Sequence, residues 1–246
     1  MSAARSARTA GPVPRMLAAA IALHGLTSAA VASAEELKAF EASYAWSWHG
    51  ATVAVSTLRL ERGDGDSWVY SSTSEPRGLG YLYPMRPKLR STLRITDQGV
   101  QPLSFKAEGA GDSHDADVSF DWSADRATGV YEGTPVDLPL KPGIQDDLSV
   151  QIAMMVELLH GRTPEHLWMI DRNSAREYRY RREGTQTIDT PLGRIDTIVY
   201  SSQHPGSPRV TRFWCAPSAG YLPMRVEQKR IDSIEWSMEN PSLNRG

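Results

Sequence analysis

The chain has a single cysteine, Cys215, in 246 residues. One thiol excludes an internal disulfide, so the core must hold by packing alone. No motif surrounds Cys215; beside Trp214 it reads as a small buried residue, with a reactive thiol as the alternative. Histidine is scarce too, at six. Those beyond residue 34 (His49, His114, His160, His166 and His204) form none of the pairs at helical or turn spacing that zinc sites use. There is no Gly-x-Ser-x-Gly elbow, Gly206-Ser207-Pro208 reading as a turn, and phosphate loops and dinucleotide fingerprints are missing. No cofactor and no metal is expected, and an enzyme is the weakest of the readings. No apolar run reaches the roughly 20 residues that a membrane-spanning helix needs.

What is present begins at the N-terminus. Arg5, Arg8 and Arg15 form a basic start without acids, Met16 to about Leu26 is apolar, and Ala32-Ser33-Ala34 is a small-x-small cleavage site. That order reads as a secretory signal peptide over 1–34, cleaved after Ala34. The mature chain then starts at Glu35, forms a single β domain over 35–246 and works in the periplasm. No cysteine follows the cleavage site to carry a lipid anchor. The formal net charge is −2. Loss of the three leader arginines leaves 24 basic residues against 29 acidic ones, a net charge of about −5, which argues against nucleic acid as a partner. Apolar residues at 40% and seven tryptophans describe a folded globule rather than a disordered chain.

The dominant period is two. In Ser43–His49, Tyr44, Trp46 and Trp48 share a face. After a His49-Gly50 turn, Thr52–Arg62 carries Val53, Val55 and Thr57 on one face but Leu58 and Leu60 on the other, which suggests a bulge or a strand buried on both sides. Gly63-Asp64-Gly65-Asp66 and Asp97-Gln98-Gly99 are turn signals. His114–Trp122 alternates, with His114, Ala116, Val118, Phe120 and Trp122 on one side. One segment departs from this pattern. From Gln145 to His160, Leu148, Ile152, Met155, Val156 and Leu159 recur at helical spacing, with Asp146 and Asp147 in the first turn and Gly161 after the last. Glu35–Ala42 reads as a short second helix. The fold class is therefore mainly β: a curved antiparallel sheet or barrel of about 10–12 strands with one inserted helix.

Several clusters invite a chemical reading beside a plainer one. Asp112, Asp115, Asp117 and Asp121 suggest calcium, but alternate with apolar residues like the wet face of a strand. Arg176, Arg179, Arg181 and Arg182, interleaved with Tyr178 and Tyr180, suggest a nucleic-acid strand or a solvated sheet face. Asp146 and Asp147 are either helix N-terminal charge or polar groups at a cavity mouth. The stretch Gly78–Pro87 has two glycines and two prolines, which forbid a long regular element. It carries Leu79, Tyr81, Leu82, Tyr83 and Met85, either folded over the core or acting as a flap over a binding surface.

The chain resembles the DUF3108 family of exported bacterial proteins. The matching residues are Tyr44–Gly50, Phe120-Asp121-Trp122, Pro139-Leu140 with Gly143, Gln145-Asp146, Leu148-Ser149, Thr190-Pro191-Leu192-Gly193, Trp214 and Leu222-Pro223. The resemblance implies a curved antiparallel sheet with a helix, loosely similar to the half-barrels of lipoprotein carriers, and no activity.

The leading function is then a non-enzymatic exported protein that holds an apolar or amphipathic envelope molecule, such as a lipid, inside the curved sheet. Its candidate ligand-binding residues are Trp46, Trp48, Trp122, Tyr81, Leu82, Tyr83 and Asp146. The helix could instead fill that interior with Met154 or Met155. The alternative function is a structural or assembly protein of the envelope that acts through contact with another protein.

Overall fold

The computed structural model describes residues 36–246 apart from 83, 84, 112, 113, 232 and 246. The expected signal peptide and its cleavage site lie outside the described residues. Eight strands come first: β1 (Phe40–Trp48), β2 (Ala51–Arg62), β3 (Ser67–Pro76), β4 (Lys88–Thr96), β5 (Gly99–Glu108), β6 (Ala116–Asp121), β7 (Arg126–Tyr131) and β8 (Thr134–Pro139). The two-residue β9 (Ile144–Gln145) and helix α1 (Ser149–Leu159) follow. Six longer strands complete the chain: β10 (His166–Asp171), β11 (Ser174–Thr190), β12 (Gly193–Gln203), β13 (Arg209–Ala216), β14 (Leu222–Arg230) and β15 (Ser233–Arg245).

The fifteen strands of the described residues belong to one sheet, in the order β8-β7-β6-β5-β4-β3-β2-β1-β15-β14-β13-β12-β11-β10-β9. It is two meanders joined where β1 pairs antiparallel with β15, Trp48 lying opposite Trp236. The one parallel pair is β9 with β10, as a helical crossover between them requires. The sheet curves without closing: β8 and β9 are its free ends. Register shifts, among them those at Trp46/Ser47, Thr92/Leu93 and Gln228/Lys229, bend and twist the strands. Polar contacts stitch the β8 end to the β10–β11 turn, where Asp137 N–H donates to Asn173 Oδ1 at 2.8 Å and Arg172 pairs with Glu132 at 2.6 Å.

Helix α1 fills the concave side. Ile152, Ala153, Met154, Met155, Val156, Leu158 and Leu159 are all buried, in one core with Tyr44, Leu60, Tyr70, Leu93, Phe105, Val118 and Leu222 from strands of both meanders. A helix apolar on nearly every side belongs inside. Met154 and Met155 thus occupy the space in which a ligand was expected.

The helix begins later than the apolar spacing suggests. Ile144 and Gln145 are taken up by pairing with β10. Asp146 Oδ1 then accepts the backbone N–H groups of Leu148 and Ser149 at 2.9 and 2.8 Å, while Ser149 Oγ accepts the N–H of Asp146. At the other end Gly161 (φ 72°) sends its N–H back to Leu158 and so ends the helix.

Local readings fare unevenly. Glu35–Ala42 is not a helix: residues 36–39 have no regular structure and Phe40 opens β1, because its pairing with Leu60 and Arg245 outweighs local helix propensity. His114 is exposed and precedes β6 rather than joining its inner face. The wet faces appear as wet faces, with Asp117 and Asp121 exposed, as are Arg176, Arg179, Arg181 and Arg182. Cys215 is buried, which pushes its thiol well above the ordinary range.

Candidate functional site

The plug does not cover the whole concave face. Beyond it, where β1 ends and β2 begins, a groove of about 680 Å³ remains open. Its floor is Trp46, Ala54, Ser74 and Pro76, and its rim is Trp48, Leu79, Leu82 and Met85. The volume falls in the range of small-molecule sites, about 300–1,000 Å³.

Local sequence explains the floor. His49 (φ 48°) and Gly50 (φ 82°) make the tight left-handed turn that matches strand twist. The bulge opposite Trp46 and Ser47 leaves Val53 outside the ladder, lining the groove, its carbonyl accepting the Arg77 N–H at 2.8 Å. Trp46 Nε1 donates to Ser56 Oγ at 2.6 Å, and Ser56 and Ser74 share a hydroxyl hydrogen bond of 2.5 Å. The polar edge of the indole is therefore satisfied within the sheet, and its carbon face is left for the groove.

The wall is the 3-10 turn Gly78–Leu82. Leu82 is 74% exposed, Leu79 59% and Met85 52%. The turn is held at both ends: Ser74 N–H donates to the Pro87 carbonyl, Arg86 N–H to the Gly109 carbonyl, and Arg86 pairs with Glu75 at 2.5 Å. Gly80 lets the turn lie flat on β2, since a Cβ there would collide with the Val53 carbonyl oxygen. Gly80→Ala is expected to lift the wall without unfolding the sheet. Tryptic cleavage after Arg77 should accelerate, while the thermal midpoint moves by no more than about 3 °C.

The expected ligand residues divide. Trp46, Trp48 and Leu82 come together in the groove. Tyr81 sits in the wall, 58% exposed, with its hydroxyl 3.5 Å from the Arg77 guanidinium. Tyr83 lies outside the described residues. Trp122 is elsewhere: its strand ends at Asp121, and its indole packs half-buried against the core with Nε1 donating to the Pro102 carbonyl at 2.7 Å. Asp146 is at no cavity mouth. It is fully buried, with Oδ2 accepting the Ser91 hydroxyl at 2.6 Å. Burial raises its pKa above the ordinary 3.8 despite these hydrogen bonds. Asp147, by contrast, is exposed and accepts the Tyr131 hydroxyl at 2.6 Å.

Sequence reasoning missed Val53, Ala54 and Pro76, which have no signal beyond ordinary strand composition. It also missed Trp236, whose ring lies 5.3 Å from that of Trp46. Only the β1–β15 pairing brings those two together. Among the described residues no group of three or more His, Cys, Asp or Glu is placed to hold a metal ion, and no helix is long and apolar enough to cross a membrane.

The family model of DUF3108, a protein of unknown function, matches residues 40–233. The chain belongs to the DUF3108 family. The match takes in β1 and the groove, and the family's description names no activity. In fold, this DUF3108 chain is similar to the β-barrel-like DUF1849 protein of Brucella abortus, with TM-score 0.57, 7% identity, and coverage of 86% of this chain and 99% of that one. Weaker likenesses are to the MucA/MucB complex of Pseudomonas aeruginosa, with TM-score 0.41, 11% identity, and coverage of 87% of this chain and 53% of that one, and to an exported protein with a YmcC-like fold from Bacteroides fragilis, with TM-score 0.37, 9% identity, and coverage of 85% and 97%. At such identities the likeness is one of fold. No curated protein matches the chain in sequence.

Proposed function

We propose that this DUF3108 chain is an exported, non-enzymatic envelope protein that holds the apolar chain of an amphiphile in the groove at the open end of its sheet. The observation that carries this is the groove itself. Large apolar side chains line a concavity of ligand size, and four of them stay exposed at its rim. Single exposed apolar residues are ordinary, but a converging set marks a binding surface. The basic, apolar, small-residue order at the N-terminus supports an exported location. The site differs from the one the sequence suggested: the ligand lies at the end of the concave face, because the helix already fills the middle.

Titration with palmitate should give a saturable change in tryptophan emission, since Trp46 and Trp48 line the groove. Leu79→Asp and Leu82→Asp should each weaken binding about tenfold or more, the worth of one leucine contact, at unchanged thermal midpoint because both positions are exposed. Absence of saturable binding would overturn the reading. The exposed wall would then be a protein-docking patch, and the assembly reading would take its place.

A further inference from the structure

The groove ends at Trp48, and a second cavity begins on the other side of that residue. It measures about 960 Å³, and its lining includes Trp48, His49, Arg209, Arg230, Glu235 and Trp236. The two cavities differ in chemistry. One is walled by leucine, methionine and proline, while the other sets charged and hydrogen-bonding side chains beside Trp48, Ile231 and Trp236. Trp48 lines both, and the tilted Trp46–Trp236 pair joins the floor of one to the wall of the other. Indoles suit such a boundary, because they bury a large carbon face and keep a polar edge.

We propose that the ligand is an anionic amphiphile, its chain in the groove and its head against Arg230 in the cavity beyond Trp48. This rests on the reading of the groove given above and names the class of molecule it takes. Charge complementarity favours such a molecule. Among the described residues Glu235 is the one acid in the cavity's lining, and it is already matched: Arg209 Nε and Nη2 donate to its two oxygens at 2.7 and 3.3 Å. That fork holds Glu235 ionised, with its pKa lowered by the Arg209 hydrogen bond, and leaves Arg209 little to offer a ligand. Arg230 makes no salt bridge among the described residues. It stands at the end of β14, exposed, as the surplus cation of the cavity. A guanidinium with free donors fits a carboxylate or a phosphate. A molecule whose apolar chain lies along Trp46 and Leu82 and leaves the groove at Trp48 brings its head to that cation. A fatty acid and a phospholipid with one chain both have this chemistry.

Tryptophan emission should be followed while the protein is titrated with palmitate, with lysophosphatidylglycerol, and with uncharged monopalmitoylglycerol, all of the same chain length. Glycerol phosphate supplies a head without a chain. The wild type should prefer the two anionic lipids to the uncharged one by about tenfold, the worth of one charged hydrogen bond. Arg230→Gln should abolish that preference and leave the monopalmitoylglycerol affinity within twofold. Glycerol phosphate should not bind measurably. Equal binding of all three lipids, unchanged in Arg230→Gln, would overturn the proposal and leave the groove reading standing. Binding of glycerol phosphate as tight as that of the lipid would overturn it in favour of a free-phosphate site. If no lipid binds at all, the groove reading fails and the proposal falls with it.

Discussion

Ile152→Asp is expected to be strongly destabilising, lowering the stability of the fold by several kcal/mol. Ile152 is fully buried at the centre of α1, and α1 is packed inside the sheet on nearly every side. An aspartate there has no cation to pair with and no route to water. A buried, unpaired charge together with the lost isoleucine contacts costs more than about 4 kcal/mol. Against a total stability of about 5–15 kcal/mol for a domain, that loss is a large fraction of the whole. The contrast with Leu82→Asp is instructive. It makes the same kind of change at a residue 74% exposed, and should leave the fold intact. Urea denaturation of both variants checks the pair. An unchanged midpoint for Ile152→Asp would mean that the helix face is open to solvent.

Asp146→Ala comes next in size, with an expected loss of about 3 kcal/mol. It removes one helix cap, worth about 1 kcal/mol, and leaves the buried Ser91 hydroxyl without its acceptor, worth about 1–3 kcal/mol. The carboxylate ties β4, through Ser91, to the first turn of α1. It thus fixes where the plug enters the sheet. Asp146→Asn keeps an oxygen for the cap and should cost about 1 kcal/mol. The pH dependence has a definite sign. Burial raises the folded-state pKa above 3.8, so the unfolded chain ionises first as pH rises and binds fewer protons than the native state. The proton-linked part of Asp146's contribution to stability is therefore complete below 3.8 and is lost as pH rises through the folded value. The stability of the wild type relative to Asp146→Asn should be largest in acid and shrink toward neutrality. Chemical denaturation of both at a series of pH values measures this, and a margin that grows with pH would contradict it.

Much of the architecture was legible from local pattern. Alternation along Tyr44, Trp46 and Trp48, turn residues at His49-Gly50, and the spacing of Leu148, Ile152, Val156 and Leu159 each reflect backbone geometry over a few residues. Such patterns mark strands, hairpins and a helix, but the switch of face between Val55 and Leu58 is no bulge: pairing with β1 runs unbroken from Ala54 to Leu60, and the register shift falls at Val53 instead. They failed where long-range pairing outweighed them. Phe40 joined β1 because partners on β2 and β15 awaited it, and Trp122 fell outside the strand whose alternation it continued.

By itself the sequence determined a β-rich chain with one apolar helix, and it brought Trp46 and Trp48 to one face. Only the tertiary structure decided what that face meets. Nothing near Met154 or Asp146 in the chain says that one plugs the sheet and the other is buried against Ser91, since both depend on how far the sheet curls. Nothing near Trp48 says that it stands opposite Trp236, between the leucines of one cavity and Arg230 of another. Curvature sums small twists over many strands, and strand order places residues nearly two hundred positions apart side by side. Neither leaves a local signature, because the energy that fixes them is spread over the whole sheet.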